Sequence, residues 1–339
     1  MRALITGVPG WLGNRFLEIL IKGFHGEGAV RDWEIRCLTL KGVDTSFIQS
    51  LSKTRRIEHI AGDVARIESL HNVFEGVDIV FHMAGIIHPN KVSQLYEINF
   101  LGTTNVITKC VRNHVKKIIY ISSNSVGGVN LSRDVLMKED DTPRPYMNYG
   151  SSKFKAECGV KEAQTSGKIQ TVILRPCWYY GPNQPGRQTT FFNMIEKGNP
   201  IIFGDGNNLR SMSYLDNVCE AMLLVAENDR ANGQTYWIAD ARAYTSNEIY
   251  RTVAELLGVR VYKPRYVPDL ISEGCVVADY LLQGMGCYMK ELHVAGEMNK
   301  NIACSIEKAK IELGYDPKIE LREGMRRSIE WCRQNGIEI

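Results

Sequence analysis

Six short, unbroken apolar runs punctuate the first half of the chain: Arg2–Thr6, Glu34–Thr39, Ile57–Ala61, Ile79–His82, Lys117–Ser122 and Gln170–Leu174. Each is bounded by Gly, Asp or other polar residues, the pattern of a strand buried on both faces. Between them, Trp11–Lys22, Val92–His114 and Tyr149–Gln164 repeat apolar positions at helical spacing. Strands that alternate with helices need crossover connections, which predicts a parallel sheet with helices on both sides. The expected fold class is therefore α/β, a Rossmann-type doubly wound parallel sheet.

After Arg175-Pro176 the texture changes. Gly and Pro cluster at Gly181-Pro182, Pro185-Gly186, Gly198–Pro200, Gly204 and Gly206, before helical patterns return at Asp216–Glu227, Ser246–Leu257 and Ser305–Leu313. This predicts a smaller, interleaved, mostly C-terminal substrate-binding domain. Residues 1–175 form the dinucleotide-binding part, with a later segment at about 205–240 returning to it; 176–204 and 241–339 form the rest.

Composition narrows the picture without supplying chemistry. The 339 residues carry 44% hydrophobic and 23% charged side chains and a net charge of +3. That balance excludes a disordered tail or a coiled-coil rod and speaks against a nucleic-acid-binding domain. The nine cysteines are odd in number and widely spaced with no C-x-x-C, which predicts reduced, mostly buried thiols and neither a disulfide framework nor a metal site. No targeting segment opens the chain, and no apolar stretch approaches the ~20 residues of a membrane span. A cytoplasmic protein is expected.

The chemistry begins at the first turn. The strand ending at Thr6 runs into Gly7-Val8-Pro9-Gly10-Trp11-Leu12-Gly13 and then a helix. Gly7 permits the tight turn, Gly10 lets backbone approach a pyrophosphate, and Gly13 allows helix and strand to pack closely. The helix N-terminus then offers free N–H groups and a positive dipole end to phosphate. Specificity for NAD or NADP is read at the end of the second strand, where an acid binds a ribose hydroxyl and a base favours the 2′-phosphate. Here Arg36 and Lys41 lean towards NADP and Asp44 stands late in the loop, so the choice stays open.

A second constellation is Tyr149-Gly150-Ser151-Ser152-Lys153. Residues four apart share a helix face. A neighbouring ammonium stabilises a phenolate, which lets a tyrosine serve as a general base near neutral pH. Ser122-Ser123-Asn124-Ser125 ends the fifth strand, where a doubly wound sheet presents its ligands.

Together these motifs resemble the extended short-chain dehydrogenase/reductase family over almost the whole chain. Thr6, Gly7, Gly10 and Gly13 match its T-G-x-x-G-x-x-G turn. The resemblance implies that Asp63, with Val64 beside it, contacts adenine. It implies that His82-Met83-Ala84-Gly85 lies beneath the cofactor, that Asn99 is a structural and proton-relay residue, and that Ser123, Tyr149 and Lys153 are catalytic. Trp11, Leu12, Lys41 and Pro176 complete the implied cofactor contacts. Ser123, Asn124, Tyr179 and Arg210 are the candidate substrate contacts. No chemistry is assigned to His82, which reads as a buried strand-end histidine, and Asn99 could equally bridge backbone groups.

Three substrate signals remain. Phe203-Gly204-Asp205-Gly206-Asn207-Asn208-Leu209-Arg210 with Tyr214-Leu215-Asp216 resembles the segment whose arginine grips the diphosphate in sugar-nucleotide enzymes. Related 4,6-dehydratases carry an Asp-Glu pair beside the catalytic serine or threonine, where this chain has Asn124 and Ser125, so dehydration is disfavoured. Against a sugar, Val267, Leu270, Ile271, Val276, Val277, Tyr280, Leu281 and Leu282 could line a pocket for a flat apolar substrate of the sterol type, or form a core or dimer helix. The favoured expectation is a nucleotide-sugar 4-epimerase or dehydrogenase, with NAD if an epimerase and NADP if a reductase. The alternatives are a sterol- or dihydroflavonol-type enzyme and a non-catalytic dinucleotide sensor. A homodimer packed through the Val92–His114 and Tyr149–Gln164 helices is implied by the resemblance. Cys177, beside the expected nicotinamide segment, is the thiol nearest the chemistry.

Overall fold

The computed structural model describes residues 1–24, 26, 31–53 and 57–339. In chain order the strands are β1 (Arg2–Thr6), β2 (Glu34–Thr39), β3 (Ile57–Ala61), β4 (Ile79–His82), β5 (Lys117–Ile121), β6 (Gln170–Pro176), β7 (Trp178–Tyr180), β8 (Ile201–Phe203), β9 (Leu209–Tyr214), β10 (Thr235–Ile238), β11 (Ala243–Thr245) and β12 (Arg265–Val267). The helices are α1 (Trp11–Lys22), α2 (Ser46–Ser52), α3 (Ser93–Leu95), α4 (Gly102–Arg112), α5 (Met147–Thr165), α6 (Gly186–Glu196), α7 (Leu215–Glu227), α8 (Ser246–Leu257), α9 (Asp269–Gly284), α10 (Lys290–Glu297), α11 (Glu307–Leu313) and α12 (Leu321–Gln334).

Seven strands form one parallel sheet in the order β10-β6-β5-β4-β1-β2-β3. Strands β1, β4 and β5 lie inside it, and β4 and β5 are buried along their full length. Both faces are covered there, so no polar alternation is needed; the edge strand β3, with Glu58 and His59 exposed, is not buried on both faces as its sequence run had suggested. On one face Phe16 of α1 meets Phe81 of β4 with ring centroids 4.6 Å apart, and Trp33 stacks on the same ring. On the other, Leu4, Val80 and Ile118 pack against Val106 and Cys110 of α4. Order reverses between β1 and β4, and the crevice beyond their carboxyl ends is where a ligand fits such a sheet.

The expected helix at Val92–His114 is not continuous. A wide π-turn over Tyr96–Leu101 separates α3 from α4. At its centre Asn99, 1% exposed, turns its amide inward to bond the Ile86 backbone, and Thr103 Oγ1 donates to the Asn99 carbonyl at 2.6 Å. Elsewhere the expected elements recur, either with the same bounds or with ends shifted by one or two residues.

A second core gathers Tyr180, Phe192, Tyr214, Tyr250, Met325 and Ile329 around β7, β9, β11 and helices α6, α8 and α12. The Arg15 guanidinium reaches from α1 to both Asp216 oxygens on α7, at 2.6 and 2.8 Å. All nine cysteines are free thiols, six of them buried. Cys177 and Cys304 bring their sulfurs to 3.4 Å inside the core. Among the described residues no helix is long and apolar enough to cross a membrane.

Gly324 lies within α12, where alanine normally adds about 1 kcal/mol of helix stability. Here a Cβ would stand 2.3 Å from Tyr180 and 2.7 Å from Tyr214, both fully buried rings. Overpacking of this kind costs about 1–3 kcal/mol. Gly324→Ala is therefore expected to lower the thermal midpoint; an unchanged or raised midpoint in calorimetry would refute the packing described.

Candidate active site

The site is assembled at the carboxyl ends of β1, β4, β5 and β6. After β1, Gly7 adopts φ +88°, and the Gly10 N–H donates back to the Gly7 carbonyl at 2.9 Å. The turn is so tight that a Cβ on Gly10 or Gly13 would fall 2.6 or 2.3 Å from that same carbonyl oxygen. Helix α1 begins with Gly10 as N-cap, without a side-chain cap and without an acidic residue in its first turn. Its first N–H groups have no intrahelical acceptor. An uncapped, electropositive helix end on a glycine cradle fits a pyrophosphate.

The floor of the crevice is hydrogen-bonded throughout. His82 lies between Thr6 Oγ1 (2.8 Å) and Thr103 Oγ1 (3.0 Å), and burial holds its pKa down at about 3, so the ring is neutral. Thr6 Oγ1 also accepts from Ala84 N–H at 3.2 Å. Gly85 faces the Asn99 side chain, whose oxygen a Cβ would meet at 3.0 Å. Asn99 bonds both polar groups of Ile86 and donates to Ser152 Oγ at 3.1 Å. Asp63 accepts from Ala65 N–H at 2.9 Å, and the buried Val64 gives its carbonyl to Asn105. Trp11 donates to the Pro182 carbonyl at 2.7 Å and meets Tyr179 edge to face, tying the first turn of α1 to the chain beyond β7. The Leu12 side chain points into the core and Pro176 closes β6, also buried.

Ser123 follows β5 in extended conformation. Its Oγ accepts from Ser125 N–H (3.2 Å) and bonds Asn124 Oδ1 (3.1 Å), so Ser123, not Ser125, caps this turn. Lys153 Nζ donates to the Ile121 carbonyl at 2.8 Å and lies 4.3 Å above the Tyr120 ring. One residue, Ser122, separates that carbonyl from Ser123. The start of α5 presses on the same turn: Tyr146 N–H donates to the Ser125 carbonyl at 2.8 Å, and a Cβ on Gly150 would stand 2.4 Å from it. Ser123 and the start of α5, which carries Tyr149 and Lys153, are therefore brought together at the junction of β5 and α5. The Tyr149 phenol is close enough that its charge would be felt at Tyr120, Tyr179 and Tyr288.

Lys153 is 5% exposed and burial pulls its pKa down to about 7. The carboxylate one turn along α5, Glu157, opposes that shift but is committed elsewhere. Arg175 on β6 grips both its oxygens at 2.9 and 2.6 Å, with Glu157 0% and Arg175 2% exposed. Met147, the first residue of α5, has φ +50°. The left-handed region costs a residue with a Cβ about 1–2 kcal/mol, so surrounding contacts must hold it there.

Arg210 lies on β9, 6% exposed, with its guanidinium 5.7 Å from the Trp178 ring centroid. One terminal nitrogen donates to the Glu297 carbonyl, Nε has no partner, and among the described residues it makes no ion pair. Its charge is felt at Tyr146, three residues before Tyr149.

The 3-beta hydroxysteroid dehydrogenase/isomerase family model matches residues 4–268. The chain belongs to that family. Its fold is that of the extended short-chain dehydrogenase/reductases, as the sequence resemblance implied. The chain is 40% identical over 343 residues to the uncharacterized protein y4nL of Sinorhizobium fredii, covering 98% of this chain and 95% of that one. It is 25% identical to 3beta-hydroxysteroid-dehydrogenase/decarboxylase isoform 1 of Arabidopsis thaliana, over 96% and 78%. Among solved structures, DesIV, a dTDP-glucose 4,6-dehydratase of Streptomyces venezuelae solved with NAD bound, superposes with a TM-score of 0.80. It covers 99% of this chain and 98% of its own at 24% identity, a likeness of fold.

Within this dehydrogenase/isomerase family frame, two sequence expectations need correction. Arg36 cannot reach a ribose phosphate: it is 5% exposed on β2, paired with Glu58 at 2.7 Å and donating to the Val73 and Glu75 carbonyls. Lys41 and Asp44 are exposed in the following loop. Most of the apolar residues of α9 face outward: Leu270 (80% exposed), Ile271, Val277, Tyr280 and Leu281, with Val276 and Leu282 half-buried. The inward face is polar, with Ser272, Asp279 and Gln283 buried. Helices α9 and α10 pack on each other through these groups, and Tyr288 between them bonds His88 at 2.8 Å. Asp279, Gln283 and His293 were not singled out in the sequence. The available signal was that Asp279 is the only charged residue between Glu273 and Lys290.

Burial of Lys153 has a thermodynamic signature. Between about pH 7 and the ordinary lysine range, the unfolded chain holds a proton that the folded protein releases. Folding stability from this group therefore rises with pH across that window. Urea midpoints of the ligand-free protein at pH 7, 8 and 9 are expected to rise relative to those of Lys153→Met; parallel midpoints would show that Lys153 keeps an ordinary affinity for its proton.

Proposed function

We propose that the enzyme exchanges hydride between NAD(P) and a secondary alcohol carbon of a nucleotide-diphosphate sugar, as a 4-epimerase or dehydrogenase. The observation that carries the substrate is Arg210. The buried guanidinium makes no ion pair among the described residues, leaves one N–H unsatisfied and feels the Glu297 carboxylate only at longer range, so an anion in the cleft would stabilise it. A planar fork suits a diphosphate.

The uncapped glycine cradle supports a dinucleotide, with Thr6, Gly7, Gly10, Trp11, Leu12 and Gly13 around its pyrophosphate. Asp63 and Val64 would flank adenine, Ala84, Gly85 and Asn99 would form the floor, and Pro176 would border the nicotinamide. Lys41 is the basic residue free to approach the adenosine ribose, and NAD or NADP remain alternatives. When bound, the dinucleotide supplies the hydride acceptor and donor.

The chain's own residues handle the proton and the oxygen. Ser123, already polarised by Asn124, holds the substrate hydroxyl. Tyr149 takes its proton as the carbon loses hydride and returns it in the reverse step. Lys153 holds the nicotinamide ribose and, as an ammonium, favours the Tyr149 phenolate. Glu157, although gripped by Arg175, still favours the charged form of Lys153. Tyr179 and Asn124 flank the sugar. Asn124 and Ser125 carry no ionisable acid beside Ser123, which supports epimerisation or dehydrogenation over loss of water.

The family and its Arabidopsis relative favour a second reading, oxidation of an apolar hydroxy compound of the 3β-hydroxysteroid type. Against it stands the polar inward face of α9.

Calorimetric titration with UDP and dTDP separates the two. The sugar reading expects binding, weakened about 10- to 100-fold in Arg210→Ala for the loss of charged hydrogen bonds worth about 1.5–3 kcal/mol. No nucleotide binding, together with steady NADP reduction on a 3β-hydroxysteroid, would establish the apolar reading instead. For either substrate Tyr149→Phe is expected to lower kcat by about 10²–10⁴. An epimerase interconverts its sugars with no net absorbance change at 340 nm, whereas a dehydrogenase accumulates reduced cofactor.

A further inference from the structure

Helix α5 starts without a cap of its own. Tyr146 occupies the N-cap position and offers no side-chain acceptor, and the next residue, Met147, is held at φ +50°. The acceptor comes from 135 residues away. Gln283 Oε1, on α9, takes both the Asn148 backbone N–H (3.2 Å) and the Asn148 side-chain amide (2.9 Å). Tyr96 closes the other side, donating to Asn148 Oδ1 at 2.7 Å.

Gln283 is itself fixed. Its amide nitrogen donates to both oxygens of Asp279 at 2.9 Å, which forces the carbonyl oxygen towards Asn148. Asp279 is fully buried and is bonded in turn by His293 Nδ1 at 2.8 Å. Tyr146 and Tyr288 pack their rings 5.6 and 5.5 Å from the His293 ring. The inverted polarity of α9 now has a use: its polar stripe faces the helix start that carries Tyr149.

We propose that Gln283, oriented by Asp279 and His293, is a positioning residue that caps α5 from the α9–α10 hairpin. It fixes the Met147-Asn148 turn and so sets the aim of Tyr149 against the Ser123 turn. Two contacts already hold that turn from below, Tyr146 N–H to the Ser125 carbonyl and the open side of Gly150. Gln283 supplies the restraint from above. Movement of the hairpin thereby reaches the acid–base residue through the Gln283 amide and the Tyr146 ring packed on His293. The inference rests on the reading of Tyr149 as that acid–base residue.

The test needs no substrate. The full chain, loaded with NAD⁺, is compared with Gln283→Met, which keeps length and volume but removes the acceptor and the donor. Amide hydrogen exchange in residues 147–151 is expected to accelerate at least tenfold, with exchange in 155–163 and the thermal midpoint little changed. The ¹³Cζ resonance of Tyr149, assigned with Tyr149→Phe, is expected to move. Asn148→Ala, which keeps the backbone bond and loses the side-chain one, is expected to show a smaller rise in the same amides and serves if Gln283→Met does not fold. Wild-type exchange in 147–151 and an unmoved Tyr149 resonance would overturn the proposal, as would a uniform rise across the whole of α5. If Tyr149→Phe kept full turnover, the functional reading would fall while the exchange result stood. If Tyr149→Phe were inactive and Gln283→Met silent, only the positioning role would fall.

Discussion

The buried pair between Glu157 and Arg175 is the joint on which the site turns. It clamps α5 to β6 through two charge-assisted bonds, with neither side chain reaching solvent. The Arg175 guanidinium also covers the Trp237 ring of β10 at 5.1 Å, so three elements share the contact. Removing one partner of such a pair leaves an uncompensated buried charge, at a cost of about 3–5 kcal/mol. Its geometric effect is to fix the roll of α5 about its axis, hence the direction in which Tyr149 and Lys153 project. Its electrical effect is to hold in place the carboxylate that favours the charged form of Lys153.

How far the molecule was legible from its residues follows from how local each determinant is. The glycine turn, the strand ends and the Tyr149/Lys153 spacing depend on contacts within a few residues, and each lies where the pattern placed it. Arg36 misled because a charge next to a strand end reads as exposed, whereas an arginine stem packs along a strand and finds carbonyls at its tip. In the π-turn Asn99 bonds Ile86 and Ser152, which no local pattern in 92–114 announces. Helix α9 misled for a deeper reason. Hydrophobicity marks which face of a helix is apolar, but the inward direction here is decided by four polar groups that find each other across two helices and the start of α5.

Two parts of the substrate side pull on the reading with different force. Arg210 is a positive charge already stripped of water, and its demand for an anion is an energetic one. Most of the apolar residues of α9 are exposed and make no demand on the cleft. Family membership sets the chemistry as nicotinamide-linked redox on a hydroxyl or keto carbon, while the polarity of the lining decides what carries that carbon. The cradle and the Ser123 junction sit on the strands of the rigid sheet, whereas Arg210 and Gln283 belong to segments added around it.

The order of strands has a consequence for the life of the chain before it is finished. Strand β6 emerges from the ribosome with one edge satisfied by β5, and its other edge must await β10, about 60 residues later. At roughly 5–20 residues per second, that edge stays open for about 3–12 s. Tyr180 and Tyr214 wait longer still, until α12 arrives to cover them. The nascent protein therefore carries first an unpaired edge and then a greasy, half-built lobe while its later segments are made, a natural client for whatever shields unfinished chains in its host.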